Sequence, residues 1–320
     1  MTDDEFLILS DTDLEGLGLS GAQIVDAIEE AIRSGAAGEI STAPKSAVLP
    51  GDGRYMMTTL SSADTPDLTI VKSVMVSPRN PARGRPGIDG AILIQDSETG
   101  QMRALCEAGW VTGVRTAGLS AVAARRLANP EAQSIAFIGC GMQARSHLAI
   151  FNDLFPLTSI RASGRGQANI DRLCDMGRSL GLETRASTTP QEAIEGADIV
   201  VSSITLDYEV APFLDARWLK PGAFAAVTDL GIPWKPEGME AISPLFIDDM
   251  AQEEASPKKL VAPDLVTGDI KHLLTDGPGE MTPDTPRAFL FRGLAIGDFA
   301  IARLGYLAAK NEGRGQKTTW

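Results

Sequence analysis

The sequence predicts an α/β protein with a doubly wound Rossmann domain, and three observations carry that prediction. The stretch "AQSIAFIGCGMQARSHLAIF" has the composition of a strand, a glycine turn and a helix in succession. Apolar strand-type runs alternate with helix-type segments after it, as a parallel sheet requires. The region before it contains short β-prone runs joined by a hairpin turn, which predict a separate antiparallel region.

Composition limits the partners of the protein. The chain has 320 residues and a formal net charge of -13, which allows two domains and argues against nucleic acid or an anionic membrane as a partner. Three cysteines (Cys106, Cys140 and Cys174) and two histidines are too few for a disulfide framework or a zinc cluster, so we expect no metal and a cytoplasmic location. No apolar run has transmembrane length, and "MTDDEFLILS" is acidic where a signal peptide is basic.

The elements predicted before the glycine turn are a helix, several strands and a second helix. Ser20 and Gln23 form a capping box before the amphipathic segment "AQIVDAIEEAIRSG". The Ala-rich segment "TGVRTAGLSAVAARRLANP" predicts a long helix that begins with Thr112 as its cap and ends at Asn129 and Pro130. Between these helices, strands are predicted at "RYMMTTLSS", "LTIVKSVMVS", "AILIQD" and "QMRALCE", with "SETG" as the hairpin turn before the last.

The glycine turn matches the pattern G-x-G-x-x-G/A of dinucleotide-binding domains at Gly139, Gly141 and Ala144. The first glycine permits a tight turn, the second lets backbone amides approach a pyrophosphate, and the small third residue lets the helix pack on the strand. Strands are predicted after it at "TSIRASGR", "LETRAST", "DIVVSSIT", "GAFAAVTDL" and "LFIDDM", with "PQEAIEGA" as an intervening helix.

The residues after the second of these strands bear on the choice between NAD and NADP. An acidic residue there accepts hydrogen bonds from the ribose of NAD, whereas an arginine pairs with the extra phosphate of NADP. The chain has Ser163, Gly164, Arg165 and Gly166 at this place. The arginine favours NADP, but a serine also serves NAD and a loop arginine is often only solvated, so both cofactors stay open.

The order of several motifs resembles the ornithine cyclodeaminase and mu-crystallin family. The motifs are Lys72, "RGRPGIDGAILIQDSETGQMRAL", "VTGVRTAGLSAVAARRLA", "IAFIGCGMQARSHL", "VTDLG" and "GLAIGDFA". The resemblance implies a dinucleotide-binding Rossmann domain at residues 117–295. It implies an α+β substrate-binding and dimerisation domain at residues 1–116 and 296–320, formed by the N-terminal region and the returning C-terminal helix. It also implies a homodimer built through the N-terminal sheets.

The resemblance further implies roles for the residues that match the family's motifs. Lys72 matches the active-site lysine, Arg115 the arginine that binds the substrate carboxylate, and Asp229 the catalytic aspartate. Arg54 matches an arginine that assists carboxylate binding. The predicted cofactor-binding residues are Thr116, Gly139, Gly141, Met142, Gln143, Ser163, Arg165, Ser203, Thr205 and Asp229.

The chemistry of these positions agrees with the implied roles. Lys72 lies in the apolar run "LTIVKSVMV", where a cation needs an anion or a lowered pKa unless it reaches solvent from an edge strand. The predicted helix puts Arg115 in its first turn, where the helix dipole disfavours a cation, and this favours a functional placement. Asp229 follows a strand, and ligands bind at the carboxyl ends of such strands. We interpret Asp248 and Asp249, at a similar strand end, as solvated.

These roles predict an NAD(P)-dependent oxidoreductase that acts on the CH–NH2 or C=N bond of a small anionic substrate. The best hypothesis is reduction of an imino acid, iminosuccinate to L-aspartate. In "GRPG", Arg85 stands where the family often has an apolar residue, and a further cation suits a second carboxylate. Arg85 is equally consistent with a surface position in its loop. The alternatives are an ornithine cyclodeaminase, an alanine dehydrogenase and a mu-crystallin-like, NADP-dependent small-molecule binding protein.

Two further features receive structural interpretations. The polar, glycine-containing segment "KNEGRGQKTTW" predicts a mobile C-terminal stretch. His147, on the helix after the glycine turn, is expected to pack or to hydrogen-bond rather than to catalyse.

Overall fold

The computed structural model describes residues 5–206 and 208–319, and the chain divides into two compact units. Unit 1 comprises Met1–Arg115 and Leu294–Trp320, and unit 2 comprises Thr116–Gly293. The helices are α1 (Asp11–Glu15), α2 (Gly21–Ala36), α3 (Gly109–Leu127), α4 (Met142–Leu154), α5 (Gln167–Ser179), α6 (Pro190–Ile194), α7 (Met250–Ala255), α8 (Ile270–Thr275) and α9 (Ala295–Glu312). The strands are β1 (Glu5–Leu9), β2 (Ile40–Thr42), β3 (Ser46–Val48), β4 (Tyr55–Asp64), β5 (Asp67–Val76), β6 (Ile88–Asp96), β7 (Met102–Glu107), β8 (Ser134–Ile138), β9 (Ser159–Ser163), β10 (Glu183–Ala186), β11 (Ile199–Ser202), β12 (Phe224–Val227), β13 (Leu245–Ile247), β14 (Gly268–Asp269), β15 (Arg287–Leu290) and β16 (Gln316–Thr319).

The sheet of unit 1 has the strand order β16-β1-β7-β6-β5-β4-β2, and β3 also pairs with β4. Strands β4 to β7 form an antiparallel meander, which confirms the predicted strands and the predicted hairpin turn between β6 and β7. Strand β1 joins β7 in parallel register. Within the described residues, no helix has both the length and the apolar character needed to cross a membrane.

One face of this sheet forms the core of unit 1. Helix α9 packs against α2, β4 and β5. On β5, the alternate side chains of Leu68, Ile70, Lys72 and Val74 are buried. The lysine therefore belongs to an otherwise apolar row, and its charge has to be compensated inside the unit.

The predicted start of helix α3 is wrong. The helix begins at Gly109 and not at Thr112. Asp11 of α1 accepts a hydrogen bond from the backbone amide of Trp110 at 2.7 Å, so a distant side chain satisfies one free amide of the first turn. Because Arg115 then lies in the second turn, the helix dipole gives no reason to expect a functional role for it.

The predicted mobility of the C-terminal segment is also wrong. Residues Gln316–Thr319 form β16, which pairs antiparallel with β1 from Ile8 opposite Gln316 to Glu5 opposite Thr319. Glycine and polar residues lower the intrinsic preference of this segment for a helix or a strand. The free edge of β1 nevertheless offers this segment a ladder of backbone hydrogen bonds.

The sheet of unit 2 has the order β10-β9-β8-β11-β12-β15-β13-β14, and every neighbouring pair in it is parallel. Its first six strands follow the doubly wound order of a Rossmann domain, with helices α4 and α5 after β8 and β9. This confirms the predicted fold class. Strand β15, the sixth in that order, is absent from the predicted strands, because its four residues carry too little pattern to be recognised.

Candidate active site

In unit 1, Lys72 is bound to an aspartate of the last helix. Lys72 is 1% exposed and lies opposite Thr59 in the register of β5 and β4. Its Nζ lies 2.5 Å from Oδ1 of Asp298, and Thr59 Oγ1 donates a hydrogen bond to Oδ2 of the same carboxylate at 2.9 Å. Both oxygens of Asp298 are thus held by side chains from two neighbouring strands.

Arg115 shares this carboxylate. Its Nε lies 3.1 Å from Oδ1 of Asp298, without the geometry of a hydrogen bond, so the contact is an ion pair. Lys72, Arg115 and Asp298 are all buried. Together they carry two positive charges and one negative charge, and this cationic cluster therefore attracts a further anion.

Burial and mutual charge set the protonation of the cluster. Burial, together with the positive charges of Arg115 and Lys45, lowers the pKa of Lys72 to about 8, although Asp298 opposes the decrease. Burial alone would raise the pKa of Asp298, but Lys72 and Arg115 outweigh burial and hold that pKa below its ordinary value. The carboxylate therefore stays ionised, while Lys72 exchanges its proton closer to neutral pH than an exposed lysine does.

The other two predicted substrate-binding arginines are exposed in unit 1. Arg54 precedes β4, and its Nε lies 2.9 Å from Oδ2 of Asp52. Thr59, opposite Lys72, lies four positions after Tyr55 at the start of β4, which is about 13 Å along the strand. Arg85 lies in the connection from β5 to β6. The described contacts bring neither arginine to Lys72, so both assignments stay predictions.

In unit 2, the predicted glycine turn has the geometry of a nucleotide-binding turn. Gly139 has φ +90°, and a Cβ at this position would lie 2.6 Å from the backbone oxygen of Ser203. Gly141 caps α4 without a side-chain hydrogen bond, and a Cβ there would meet no atom within 4 Å. The backbone amides of this turn can therefore be approached closely, which fits the pyrophosphate of NAD or NADP.

The remaining predicted cofactor residues of unit 2 lie on several segments. Ser163 ends β9, and its backbone oxygen accepts a hydrogen bond from the amide of Gly139 at 2.9 Å. Arg165 is exposed before α5, and residues 163–167 include no acidic side chain. Ser203 Oγ donates to the oxygen of Gly139 at 3.2 Å. Of the others, Met142 and Gln143 lie in the first turn of α4, Thr205 is exposed after β11, and Thr116 is buried on α3.

Asp229 lies two residues after the end of β12 and is 1% exposed. Its Oδ1 accepts a hydrogen bond from Ser202 Oγ at 3.0 Å, and its Oδ2 accepts one from the amide of Ile204 at 3.1 Å. Burial raises the pKa of Asp229 to about 6, although these two donors oppose the increase. The end of β11 therefore joins the predicted acid to the glycine turn, because Ser203 binds that turn from the next position.

Several residues at these sites were not predicted. Asp298 compensates the charge of Lys72, and Thr59 donates a hydrogen bond to Asp298. Ser202 Oγ accepts a hydrogen bond from Trp234 Nε1 at 2.9 Å. A signal existed for Asp298, because it is the one acidic residue in the apolar stretch "LAIGDFAIA". The serine, the threonine and the tryptophan are ordinary residues of strands and loops, and no local pattern distinguishes them.

Asp248 is not solvated as predicted. It is 1% exposed, and its Oδ2 accepts hydrogen bonds from the backbone amides of Arg292 (2.9 Å) and Gly293 (2.8 Å). Asp249 instead caps α7, where its side chain accepts a hydrogen bond from the amide of Gln252. Both acids therefore hold backbone segments in place.

These features define a Rossmann-fold protein whose other unit contains a buried cationic cluster. The family model for "Ornithine cyclodeaminase/mu-crystallin family" matches residues 5–312. The chain belongs to that family, and the resemblance inferred from its motifs is confirmed.

Three curated relatives show the range of names in this family. A candidate dehydrogenase of Rhizobium meliloti (strain 1021) is 32% identical over 220 residues, 67% of this chain and 65% of that protein. The chain therefore covers just under two thirds of this relative. The ketimine reductase mu-crystallin of Rattus norvegicus is 27% identical over 228 residues, 69% of this chain and 70% of that protein. The alanine dehydrogenase of Archaeoglobus fulgidus is 26% identical over 326 residues, 98% of each chain.

Solved structures show the same fold over the whole chain. The Δ1-pyrroline-2-carboxylate reductase of Thermococcus litoralis, in complex with NADH and L-proline, has a TM-score of 0.86 and 22% identity, and the match covers 97% of this chain and 99% of that one. The iminosuccinate reductase of Paracoccus denitrificans, in complex with NAD+, has a TM-score of 0.81 and 20% identity over 99% of this chain and 100% of that one.

Proposed function

We propose that the protein is an NAD(P)H-dependent reductase of imino acids. The observation that carries the proposal is the buried cluster of Lys72, Arg115 and Asp298, whose charges leave one positive charge to be balanced. One substrate carboxylate balances it. The names ketimine reductase and alanine dehydrogenase among the relatives support the same class of reaction.

Each side chain has a distinct role in this reaction. When bound, NADH or NADPH supplies the hydride that the imine carbon receives. Arg115 holds the α-carboxylate with its planar guanidinium, and Lys72 contacts a substrate oxygen or provides the proton that the nitrogen gains. Asp229, in its ionised form, stabilises the cationic iminium. An imine, a hydride and a proton together give the amine, so the reaction is balanced.

The substrate that fits the proposal best is iminosuccinate, which would be reduced to L-aspartate. Arg115 and Lys72 suffice for one carboxylate, whereas Arg85 adds positive charge in a loop of the same unit. Arg54, in another loop of that unit, would contribute if a substrate replaced its partner Asp52. An ornithine side chain is cationic and would be repelled by such a set.

The activity is tested with purified protein and with NADH and NADPH in separate assays. Ammonium is combined with oxaloacetate, pyruvate or glyoxylate, and ornithine is supplied with NAD. We expect cofactor oxidation with the imine-forming mixtures, fastest with oxaloacetate. Conversion of ornithine to proline without any imine reduction would contradict the reductase proposal, and nucleotide binding without turnover of any substrate would favour a binding protein.

The second carboxylate is tested by Arg85→Ala. We expect kcat/KM for the oxaloacetate-derived imine to fall about 10-fold to 100-fold and that for the pyruvate-derived imine to change less than about threefold, because a charged hydrogen bond contributes roughly 1.5–3 kcal/mol. Arg83→Ala is the matched control, since Arg83 is an exposed arginine of the same loop. Equal losses with both imines would remove Arg85 from substrate selection.

We also propose a homodimer that forms through the sheet of unit 1. Strand register places an apolar row across five strands on the face that α2 and α9 do not cover. Three of its side chains are 37–43% exposed, which is unusual for a contiguous apolar row on a monomer. The apolar row consists of Ile8, Leu105, Leu93, Val71 and Leu60.

A cytoplasmic location stays a prediction. It is supported by the three cysteines, which are all buried as free thiols.

A further inference from the structure

We propose that Ser202 and Trp234 are positioning residues that hold Asp229 in its ionised form. The inference rests on the proposed function, in which the Asp229 carboxylate stabilises an iminium. It goes further because it assigns the ionisation of that carboxylate to Ser202 and Trp234. Neither side chain has a described hydrogen bond to the glycine turn or to the cationic cluster.

The direction of the hydrogen bonds follows from the donor inventory. An indole nitrogen only donates, so the bond of 2.9 Å from Trp234 Nε1 makes Ser202 Oγ an acceptor. A serine hydroxyl has one hydrogen, and its remaining close partner is Oδ1 of Asp229 at 3.0 Å. Trp234 therefore turns the hydroxyl hydrogen of Ser202 toward the carboxylate.

The other partners of the carboxylate are donors as well. Oδ2 accepts from the amide of Ile204 at 3.1 Å, and the amides of Asp229 itself and of Gly231 also favour the ionised form. These partners lie on the end of β11 and on the loop after β12, and none of them is charged or titratable. A proton on Asp229 would have to face one of these donors, so the ionised form keeps all of its hydrogen bonds.

The backbone after Asp229 is strained, which indicates that the fold imposes the position of this carboxylate. Leu230 has φ +59°, a left-handed conformation that costs free energy in a residue other than glycine. The turn continues through Gly231, whose backbone oxygen accepts the amide of Trp234 at 3.0 Å. The same tight turn thus fixes the carboxylate and brings the indole to Ser202. Asp229, Ser202 and Trp234 are 1%, 0% and 3% exposed, so water does not replace these contacts.

The test measures the titration of Asp229 directly, by ¹³C NMR of protein labelled at the aspartate carboxyl carbons. Asp229→Asn identifies the resonance. In Ser202→Ala we expect the titration midpoint to rise by about one pH unit, because a donor to the ionised form is lost. In Trp234→Phe we expect a smaller rise, since the hydroxyl remains but its direction is no longer fixed. The matched control is Ser120→Ala, which removes another buried serine hydroxyl, whose hydrogen-bond partners among the described residues are His147 and the backbone of Thr116.

The possible results distinguish a wrong hydrogen-bond assignment from a wrong proposed function. An unchanged or lowered midpoint in Ser202→Ala, or a rise equal to that of Ser120→Ala, overturns the inference. If Ser202→Ala does not fold, an unchanged midpoint in Trp234→Phe overturns it instead. If the midpoint rises but no imine is reduced by the unaltered protein, the hydrogen-bond assignment stands and the proposed function fails. With both correct, the acidic limb of the pH profile of kcat/KM moves upward in Ser202→Ala by the same amount as the NMR midpoint.

Discussion

Asp298 is the counter-ion of two buried positive charges in unit 1. It lies 226 residues after Lys72 in the chain and contacts Lys72, Arg115 and Thr59 with one carboxylate. Removing the negative charge deprives two buried cations of the anion that both contact in the described part of the chain, which is far more costly than the loss of an exposed ion pair.

We therefore expect Asp298→Asn to lower the free energy of unfolding by roughly 3–5 kcal/mol, measured by urea denaturation at pH 7. Asp175→Asn is the control, because Asp175 forms an exposed pair with Arg178 at 2.5 Å, and its loss should cost about 0.5 kcal/mol or less. Similar losses in the two variants would show that Asp298 is not the essential counter-charge.

The pH dependence of the reaction follows from two shifted groups. Burial raises the pKa of Asp229 to about 6 and lowers that of Lys72 to about 8. Asp229 is ionised only above the first value, and Lys72 is protonated only below the second. We expect kcat/KM for imine reduction to be bell-shaped, with limbs near pH 6 and pH 8, measured in buffers of constant ionic strength. In Lys72→Arg, whatever activity remains should lack the alkaline limb. A profile that is flat from pH 5 to pH 9 would contradict both roles.

At the scale of elements, the two glycines of the turn between β8 and α4 have different predicted roles. Gly139 is needed for stability, and Gly141 is needed for nucleotide binding. In Gly139→Ala we expect a loss of about 1–3 kcal/mol in stability, because the new Cβ meets the backbone of Ser203 and φ is positive. In Gly141→Ala we expect unchanged stability but weaker binding of NADH and NADPH, since the methyl group projects into open space that the pyrophosphate needs. Thermal unfolding and nucleotide fluorescence measure the two effects. Equal stability of the two variants would contradict this account.

The sequence pattern predicted helices and strands well where a regular pattern continues through the whole element. It failed where a contact with a distant segment determines whether or where the element forms. The strand that bears Lys72 and the strand–turn–helix at Gly139 each carry their pattern within one continuous segment. The start of α3 depends on Asp11, which lies 99 residues before the amide that it binds. The formation of strand β16 likewise depends on pairing with the edge of β1. Contacts between distant segments are not encoded in local periodicity.

The same limit applies to the candidate site. Lys72, Arg115 and Asp229 belong to recognisable motifs, and the structure joins the first two through Asp298. The residues that tune them are distant in sequence: Thr59 and Asp298 are 239 residues apart, and Ser202 and Trp234 are 32 residues apart. Only the folded chain brings such pairs together.

At the scale of the whole molecule, the apolar row on unit 1 predicts the assembly. We expect Leu105→Glu to convert the proposed dimer to monomer, because it puts a charge inside the apolar row, between Ile8 and Leu93. Leu180→Glu is the control, since Leu180 is a similarly exposed leucine of unit 2, 39% against 37%. Sedimentation velocity measures the mass of each variant. A protein that is monomeric before substitution, or a dimer that survives Leu105→Glu, would contradict the proposed interface.

The division of unit 1 into two chain segments has a consequence for biosynthesis. Strand β5, which bears Lys72, leaves the ribosome before all of unit 2, whereas α9, which bears Asp298, follows unit 2. A growing chain folds in the order in which its domains emerge, so unit 2 can complete its sheet while unit 1 still lacks its last helix. Until that helix arrives, burying the lysine would leave a cation without an anion. We therefore expect the nascent protein to bind nucleotide before it closes the core around its lysine.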